Sequence, residues 1–244
     1  MLGQYEEAIA HYDIALEKSQ KPDIFFSRGL TYLSLQRFED AIEDFKKAAE
    51  DEGEKNKKYK IQFNLGVTYR RIAQITQPEL KPDKNKAATA PVAPVTTEKD
   101  KKEDKNGEKV QAPISVPLPT NKREEYLKLS LEALRKATDL ENQKAPAFNN
   151  LALTYFEQEL YEDAIIAYNQ AITIETKNFE GLKESADKDQ SRENLAFYHN
   201  NKGLAAYHKA DFEEARTHYE LAIKFNGRKA ENFFNRGNVH SREL

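Results

Sequence analysis

The sequence predicts an all-α protein built as a solenoid of antiparallel helix pairs, and internal repetition is the main observation behind this prediction. An aromatic residue, two acidic residues and an alanine follow each other at four places, residues 5–8, 38–41, 161–164 and 212–215. A small residue stands 12 positions before the last three alanines, at Gly29, Ala152 and Gly203. No stretch alternates between apolar and polar residues for long enough to predict a strand.

The second helix of each pair is predicted from the alanine pattern. Each motif alanine is followed four residues later by an aromatic residue and after three more by a second alanine. This spacing places one apolar stripe along a helix. A weaker copy has Leu127, Ser130, Leu134 and Ala137 at the same offsets. We expect the alanines to be buried between helices: Ala8, Ala15, Ala41, Ala48, Ala164, Ala171, Ala215 and Ala222.

The first helix of each pair is predicted around the small residue, which lets the second helix approach closely. The small residues are Gly29, Gly66, Ala152, Gly203 and Gly237. The acidic pairs of the alanine motif are expected to begin each second helix, where carboxylates interact favourably with the helix dipole. These patterns together predict about ten main helices.

The combination of an early small residue with Ala-x-x-x-aromatic resembles the tetratricopeptide repeat family, whose period is 34 residues. Counting Ser130 as an alanine equivalent, the copies are separated by 33 residues (8 to 41), 34 (130 to 164) and 51 (164 to 215). The resemblance covers nearly the whole chain except residues 76–121, and it implies a right-handed superhelical solenoid. The family's usual tryptophan is replaced at each copy, by Phe25, Gln62, Phe148, His199 and Phe233.

The repeats divide the chain into three parts. Residues 1–75 hold the second helix of repeat 1, repeat 2 and the first helix of repeat 3, and residues 122–244 hold the remainder up to the first helix of repeat 6. Residues 76–121 carry seven of the nine prolines and no aromatic residue, which predicts a disordered low-complexity insertion. Its one apolar run, residues 110–119, is a candidate docking motif.

Two further expectations concern chain length. A second insertion around 176–192 is expected to lengthen the first helix of repeat 5 or to add a helical turn before it. Since the first repeat lacks its first helix and the last lacks its second, we expect the chain to be part of a longer array or to be continued by a partner.

The composition argues against catalysis, cofactors and metals. The chain has no cysteine, and its net charge of −3 gives no field to attract nucleic acid. No signal peptide or membrane-spanning run is present. The five histidines lack metal-ligand spacing, and phosphate-binding and nucleophile motifs are absent. We therefore expect a non-enzymatic protein in the cytoplasm.

The candidate binding site is a row of asparagines, each two residues before a small residue. In the family that the sequence resembles, the first helices line the concave face and this position points into the groove. We expect the amides of Asn150, Asn201 and Asn235 to be free of intramolecular partners and available to the backbone of an extended peptide. The expected groove residues are Asn64, Asn150, Asn201 and Asn235, with Leu153 and Leu204 beside them. The two-carboxylate clamp of chaperone-binding relatives is not predicted, because only its middle asparagine matches.

Two functions remain open. The first is a scaffold or adaptor that binds an extended segment of another protein in the concave groove. The second is an architectural subunit of a large eukaryotic assembly, ciliary or cytoskeletal, that contacts its neighbours through its ends and the insertion. In both, the partners are other proteins rather than nucleic acid or membrane.

Overall fold

The computed structural model describes residues 2–50, 53–76 and 120–242, and these residues form ten α-helices and no strand. The helices are α1 (Leu2–Lys18), α2 (Pro22–Ser34), α3 (Phe38–Ala49), α4 (Lys55–Ile75), α5 (Thr120–Leu140), α6 (Ala145–Glu157), α7 (Tyr161–Gly181), α8 (Ala186–His208), α9 (Phe212–Phe225) and α10 (Ala230–His240). The predicted all-α class is confirmed. The insertion predicted at 76–121 lies outside the described residues, apart from Thr76 after α4 and the first two residues of α5.

The helices pack in the order in which they follow each other along the chain. Contacts join α2 with α3, α4 with α5, α6 with α7 and α8 with α9, and each second helix also contacts the next first helix. These pairs are repeats 2 to 5, α1 is the second helix of repeat 1, and α10 is the first helix of repeat 6. The pair α4–α5 forms although residues 76–119 separate its helices. The result is the expected solenoid, in which each repeat packs on its neighbours.

Small residues allow the close approach inside each pair. A Cβ atom added to Gly66 would lie 2.5 Å from Cγ of Leu134, and one added to Gly203 would lie 2.9 Å from the Tyr219 ring. Gly237 of α10 has no such neighbour within 4 Å among the described residues. Gly66 and Gly203 therefore mark the places where a second helix packs against a first helix, and Gly237 makes no such contact among the described residues.

The motif alanines are buried wherever a helix has neighbours on both sides. Six of the eight are at most 1% exposed: Ala41, Ala48, Ala164, Ala171, Ala215 and Ala222. Ala8 and Ala15 are only half-buried, because α1 packs against α2 alone among the described helices. The acidic pair of this copy also fails to begin its helix, since α1 already starts at Leu2.

The second insertion lengthens two helices rather than one. α7 extends to Gly181 and α8 begins at Ala186, so both are longer than their counterparts in repeat 2. Ser185 caps α8 by accepting a hydrogen bond from the backbone N–H of Lys188. The Phe179 ring of the extension packs edge-on against Phe225 of α9 at 6.0 Å between centroids. The added turns are therefore anchored to repeat 5.

Candidate functional site

The first helices form the inner face of the solenoid. α4 contacts α6, α6 contacts α8, and α8 contacts α10 directly, whereas the second helices make no comparable contacts with each other in the described ranges. Elements on the inner side of a curved array lie closer together than those on its outer side. The first helices therefore line the concave surface, which repeat proteins of this shape use for binding.

Two of the predicted groove asparagines are used to join successive first helices. Asn150 Oδ1 accepts a hydrogen bond from Nη2 of Arg70 in α4 at 3.2 Å, and its Nδ2 donates to the carbonyl of Pro146 at 2.8 Å. Asn235 Nδ2 donates to Oδ1 of Asn200 in α8 at 3.0 Å. The expectation that these amides lack intramolecular partners is wrong for both residues, because each satisfies a buried contact between repeats.

The other two asparagines differ from each other. Asn64 is half-exposed, and its Nδ2 donates to the carbonyl of Lys60 one turn earlier at 2.8 Å. Asn201 is 0% exposed, and neither polar atom of its amide has a hydrogen-bond partner among the described residues. Asn149, at the position of repeat 4 that corresponds to Asn200, is also buried with its Oδ1 unpartnered. In repeats 4 to 6 the asparagines thus belong to the interior.

The apolar residues predicted beside the asparagines are interior as well. Leu153 is 1% exposed and Leu204 is 3% exposed, so neither offers a surface to a ligand in this structure. Their counterparts in repeats 2 and 3 are Leu30 and Val67, which also follow a small residue directly. Both are half-buried and therefore partly accessible. The inner face is closed at repeats 4 and 5 and open at repeats 2 and 3.

A cavity lies at the edge of the open part of the inner face, which is formed by repeats 2 and 3. α2 and α4 approach each other less closely than each later pair of first helices, and an ion pair between Asp23 of α2 and Lys57 of α4 joins their first turns. A cavity of about 150 Å³ lies between their first turns, with Phe26, Ala48 and Ile61 among its lining residues. The sequence pattern did not single out this region, although four lysines among residues 55–60 mark the start of α4 as a distinct basic segment.

A buried polar cluster occupies the interface of α8 and α9. The imidazoles of His199 and His218 stack with 5.1 Å between ring centroids, and their Nδ1 atoms are 2.9 Å apart. Burial, the neighbouring His218 and then Lys202 lower the pKa of His199 to about 3. Burial and then Lys202 lower the pKa of His218 to about 4. Lys202 itself forms a 2.8 Å ion pair with Glu214. Because both pKa values lie well below neutral pH, both imidazoles are neutral there.

Neither metal-binding clusters nor membrane spans occur in the part of the chain that the structure describes. Within residues 2–50, 53–76 and 120–242, no three side chains of the metal-binding types come together. The same ranges contain no helix whose length and hydropathy would let it cross a membrane.

Comparison with known proteins gives the family of the repeats. Models described as tetratricopeptide repeat match residues 2–56, 145–178 and 198–228. These ranges cover α1 to α3, α6 with most of α7, and the second half of α8 with α9.

Solved structures with the same fold cover most of the chain. One is YrrB, described as a TPR protein with an unusual peptide-binding site, with TM-score 0.58, 16% identity, and coverage of 99% of this chain and 85% of that chain. MamA from Desulfovibrio magneticus RS-1 gives TM-score 0.57 and 15% identity, with coverage of 93% and 89%. TTC0263, a thermophilic TPR protein in Thermus thermophilus, gives TM-score 0.53 and 15% identity, with coverage of 98% and 92%. At these identities the similarity shows the fold alone.

Proposed function

Because this chain belongs to the tetratricopeptide repeat family, we propose that it is a non-catalytic scaffold that binds an extended segment of another protein along its inner face. The observation that carries this proposal is the accessible apolar stripe on the first helices of repeats 2 and 3. On α2 the stripe consists of Phe26, Leu30 and Leu33, and on α4 of Phe63 and Val67, all half-buried.

The spacing of these side chains suits an extended segment. Packed helices lie about 8–10 Å apart, and an extended chain rises about 3.3 Å per residue. Since α2 and α4 are less closely packed than this, a bound segment would place roughly three or more residues between its contacts with the two helices. Within each helix the side chains of the stripe are about one turn apart, and between helices they are one repeat apart. They can therefore contact several residues of one bound segment.

The asparagine row takes a revised part in this proposal. Asn150 and Asn235 hold successive first helices together and thereby fix the shape of the groove. Asn64 is the member whose side chain is accessible, and its Oδ1 can accept a hydrogen bond from a backbone N–H of the segment. YrrB was described as having an unusual peptide-binding site, which makes peptide binding on this fold a reasonable starting point.

The proposal is tested by selecting short peptides from a random displayed library against the full chain and then measuring their affinity for variants. Leu30→Arg and Val67→Arg place a charge on the open inner face and should weaken binding by tenfold or more, since each buries a charge under the peptide. Ile166→Arg is the matched control, because Ile166 is 61% exposed on α7. Equal loss in all three variants, or in none, would reject the inner face as the binding surface.

A second candidate function is supported by a different surface. Phe233 and Phe234 belong to α10, which packs mainly against α8 and α9 among the described helices, and they are 44% and 56% exposed. They favour the architectural alternative, in which the chain contacts neighbours in a larger ciliary or cytoskeletal assembly through α10. Cross-linking in native extract distinguishes the two functions, since cross-links at α10 alone favour this alternative and cross-links at α2 and α4 favour peptide binding.

A further inference from the structure

We infer that the cavity between α2 and α4 binds one bulky apolar side chain from an acidic segment of a partner protein, whose carboxylates pair with Lys58 and Lys60. This inference rests on the proposed function, because it names the chemistry of the segment that the inner face would bind. It adds a preference for acidic segments, because an inner face lined by apolar residues alone would not select acidic partners.

The cavity has the size and lining for one apolar side chain. Its volume is about 150 Å³, which matches cavities that accept benzene and therefore a leucine or phenylalanine side chain. Pro22, Phe26, Ala48 and Ile61 supply apolar walls from α2, α3 and α4. The cavity forms where α2 and α4 pack less closely than the later first helices, beside the ion pair of Asp23 with Lys57, and this leaves space for an inserted side chain.

The rim of the cavity is basic. It carries three lysines, Lys57, Lys58 and Lys60, and one aspartate, Asp23, which gives a net charge of +2. Asp23 is already paired with Lys57 at 3.0 Å, so it does not neutralise the other two lysines. Lys60 is exposed and Lys58 is half-buried, and neither forms a hydrogen bond or ion pair through its side chain with another described residue. Two ammonium groups beside an apolar cavity fit carboxylates that flank an apolar residue.

A second depression adjoins the cavity on the side of the second helices α3 and α5. It has a volume of about 440 Å³ and shares Lys58 and Ile61 with the first cavity. Its other charged side chains, Glu50, Lys136 and Asp139, give it no excess of positive charge. Acidic residues of the partner are therefore expected at the first cavity and not at this depression.

The test uses a fluorescein-labelled peptide in which a central leucine is flanked on both sides by aspartate and glutamate. Fluorescence anisotropy should show binding to the full chain that weakens as salt rises. Replacing the leucine of the probe by serine should weaken binding, and so should replacing its acidic residues by lysine. The double variant Lys58→Glu with Lys60→Glu should lower the affinity by about tenfold or more, because it turns two attractions into repulsions.

A matched variant controls for net charge. Lys46→Glu with Lys128→Glu changes the overall charge by the same amount at exposed lysines of α3 and α5, and it should bind the probe like the unmodified chain. Equal binding by the two double variants would overturn the inference, and so would a probe that binds equally well with serine in place of leucine. If either result is obtained while Leu30→Arg and Val67→Arg still weaken the binding of library-selected peptides, the proposed function stands. Only the preference for acidic segments is then rejected.

Discussion

At the residue scale, each described turn inside a helix pair contains one residue in the left-handed conformation. These residues are Gln36, Glu159 and Ala210, with φ of 58°, 62° and 64°. In each turn the next residue's N–H donates back to a carbonyl near the end of the first helix, as from Asp211 to Ala206 at 2.9 Å. This is the helix ending at which glycine is usual. The repeats therefore keep a strained residue at the turn that reverses the chain.

Ala210→Gly should stabilise the protein. A left-handed alanine costs about 1–2 kcal/mol in backbone energy, and glycine relieves this while losing some conformational entropy on folding. We expect a net gain of about 0.5–1 kcal/mol in the free energy of unfolding, measured by urea denaturation. Ala10→Gly, in the exposed interior of α1, is the control and should destabilise by a similar amount. Destabilisation by both substitutions would show that the turn is not strained.

The buried histidine pair should make stability depend on pH. The pKa values of His199 and His218 in the folded protein are about 3 and about 4, both below the ordinary value of 6.5. As pH falls, these two histidines are therefore protonated in the unfolded chain before they are protonated in the folded protein. Their contribution to the free energy of unfolding is fully present above pH 6.5 and is lost progressively below it. Between pH 7 and pH 5 the loss should be on the order of 2 kcal/mol for each histidine, or about 4 kcal/mol for the pair.

Urea denaturation at several pH values checks this expectation. The double variant His199→Phe with His218→Leu should flatten the dependence between pH 6.5 and pH 5, while Lys202 keeps its partner Glu214. His11→Gln, at an exposed position of α1, should leave the dependence unchanged. The assignment to this pair would be rejected if the dependence persists without the two histidines.

At the element scale, a buried ion pair fixes α4 against α6. Arg70 Nη1 lies 2.9 Å from Glu157 Oε1, with 2% and 11% of the two side chains exposed. Gln74 of α4 also donates to Glu157 Oε1 at 2.6 Å, and Arg70 holds Asn150 as described above. These bonds join residues from the two sides of the segment between α4 and α5. They hold the first helix of repeat 3 against the first helix of repeat 4, although residues 76–119 and α5 lie between them in the sequence.

Removing one partner of this pair should cost more than removing both. Arg70→Met leaves the Glu157 carboxylate buried without its cation and should destabilise by about 3–5 kcal/mol. The double variant Arg70→Met with Glu157→Met removes both charges and should recover most of that loss. A double-mutant cycle in urea measures the coupling directly. Additive losses would show that the two side chains are not coupled in the folded protein.

At the scale of the whole molecule, the repeats and the pairing of their helices could be predicted from sequence. The accessibility of the side chains on the inner face could not. The spacing of small residues and alanines lies within one repeat, so a local pattern is enough to predict helix pairs. The accessibility of Asn150 and Asn235 depends on Arg70 and Asn200, which come from neighbouring repeats. No local pattern contains those contacts. For the same reason the pattern alone did not indicate that Leu30 is accessible and Leu153 is not.

The repeat architecture predicts that damage in one repeat stays local. Ala215→Leu overpacks the interface of α8 and α9, where Ala215 is 0% exposed, and should cost about 1–3 kcal/mol. Hydrogen exchange should rise in α8, α9 and α10 and remain unchanged in α2 and α3, because each repeat is held mainly by its nearest neighbours. Ala8→Leu, at a half-buried alanine of α1, is the control and should leave exchange in α8 to α10 unchanged. If Ala215→Leu instead raises exchange equally from α2 to α10, the chain unfolds as one cooperative unit. The contacts between first helices, such as Arg70 with Glu157, would then couple the repeats more strongly than nearest-neighbour packing does.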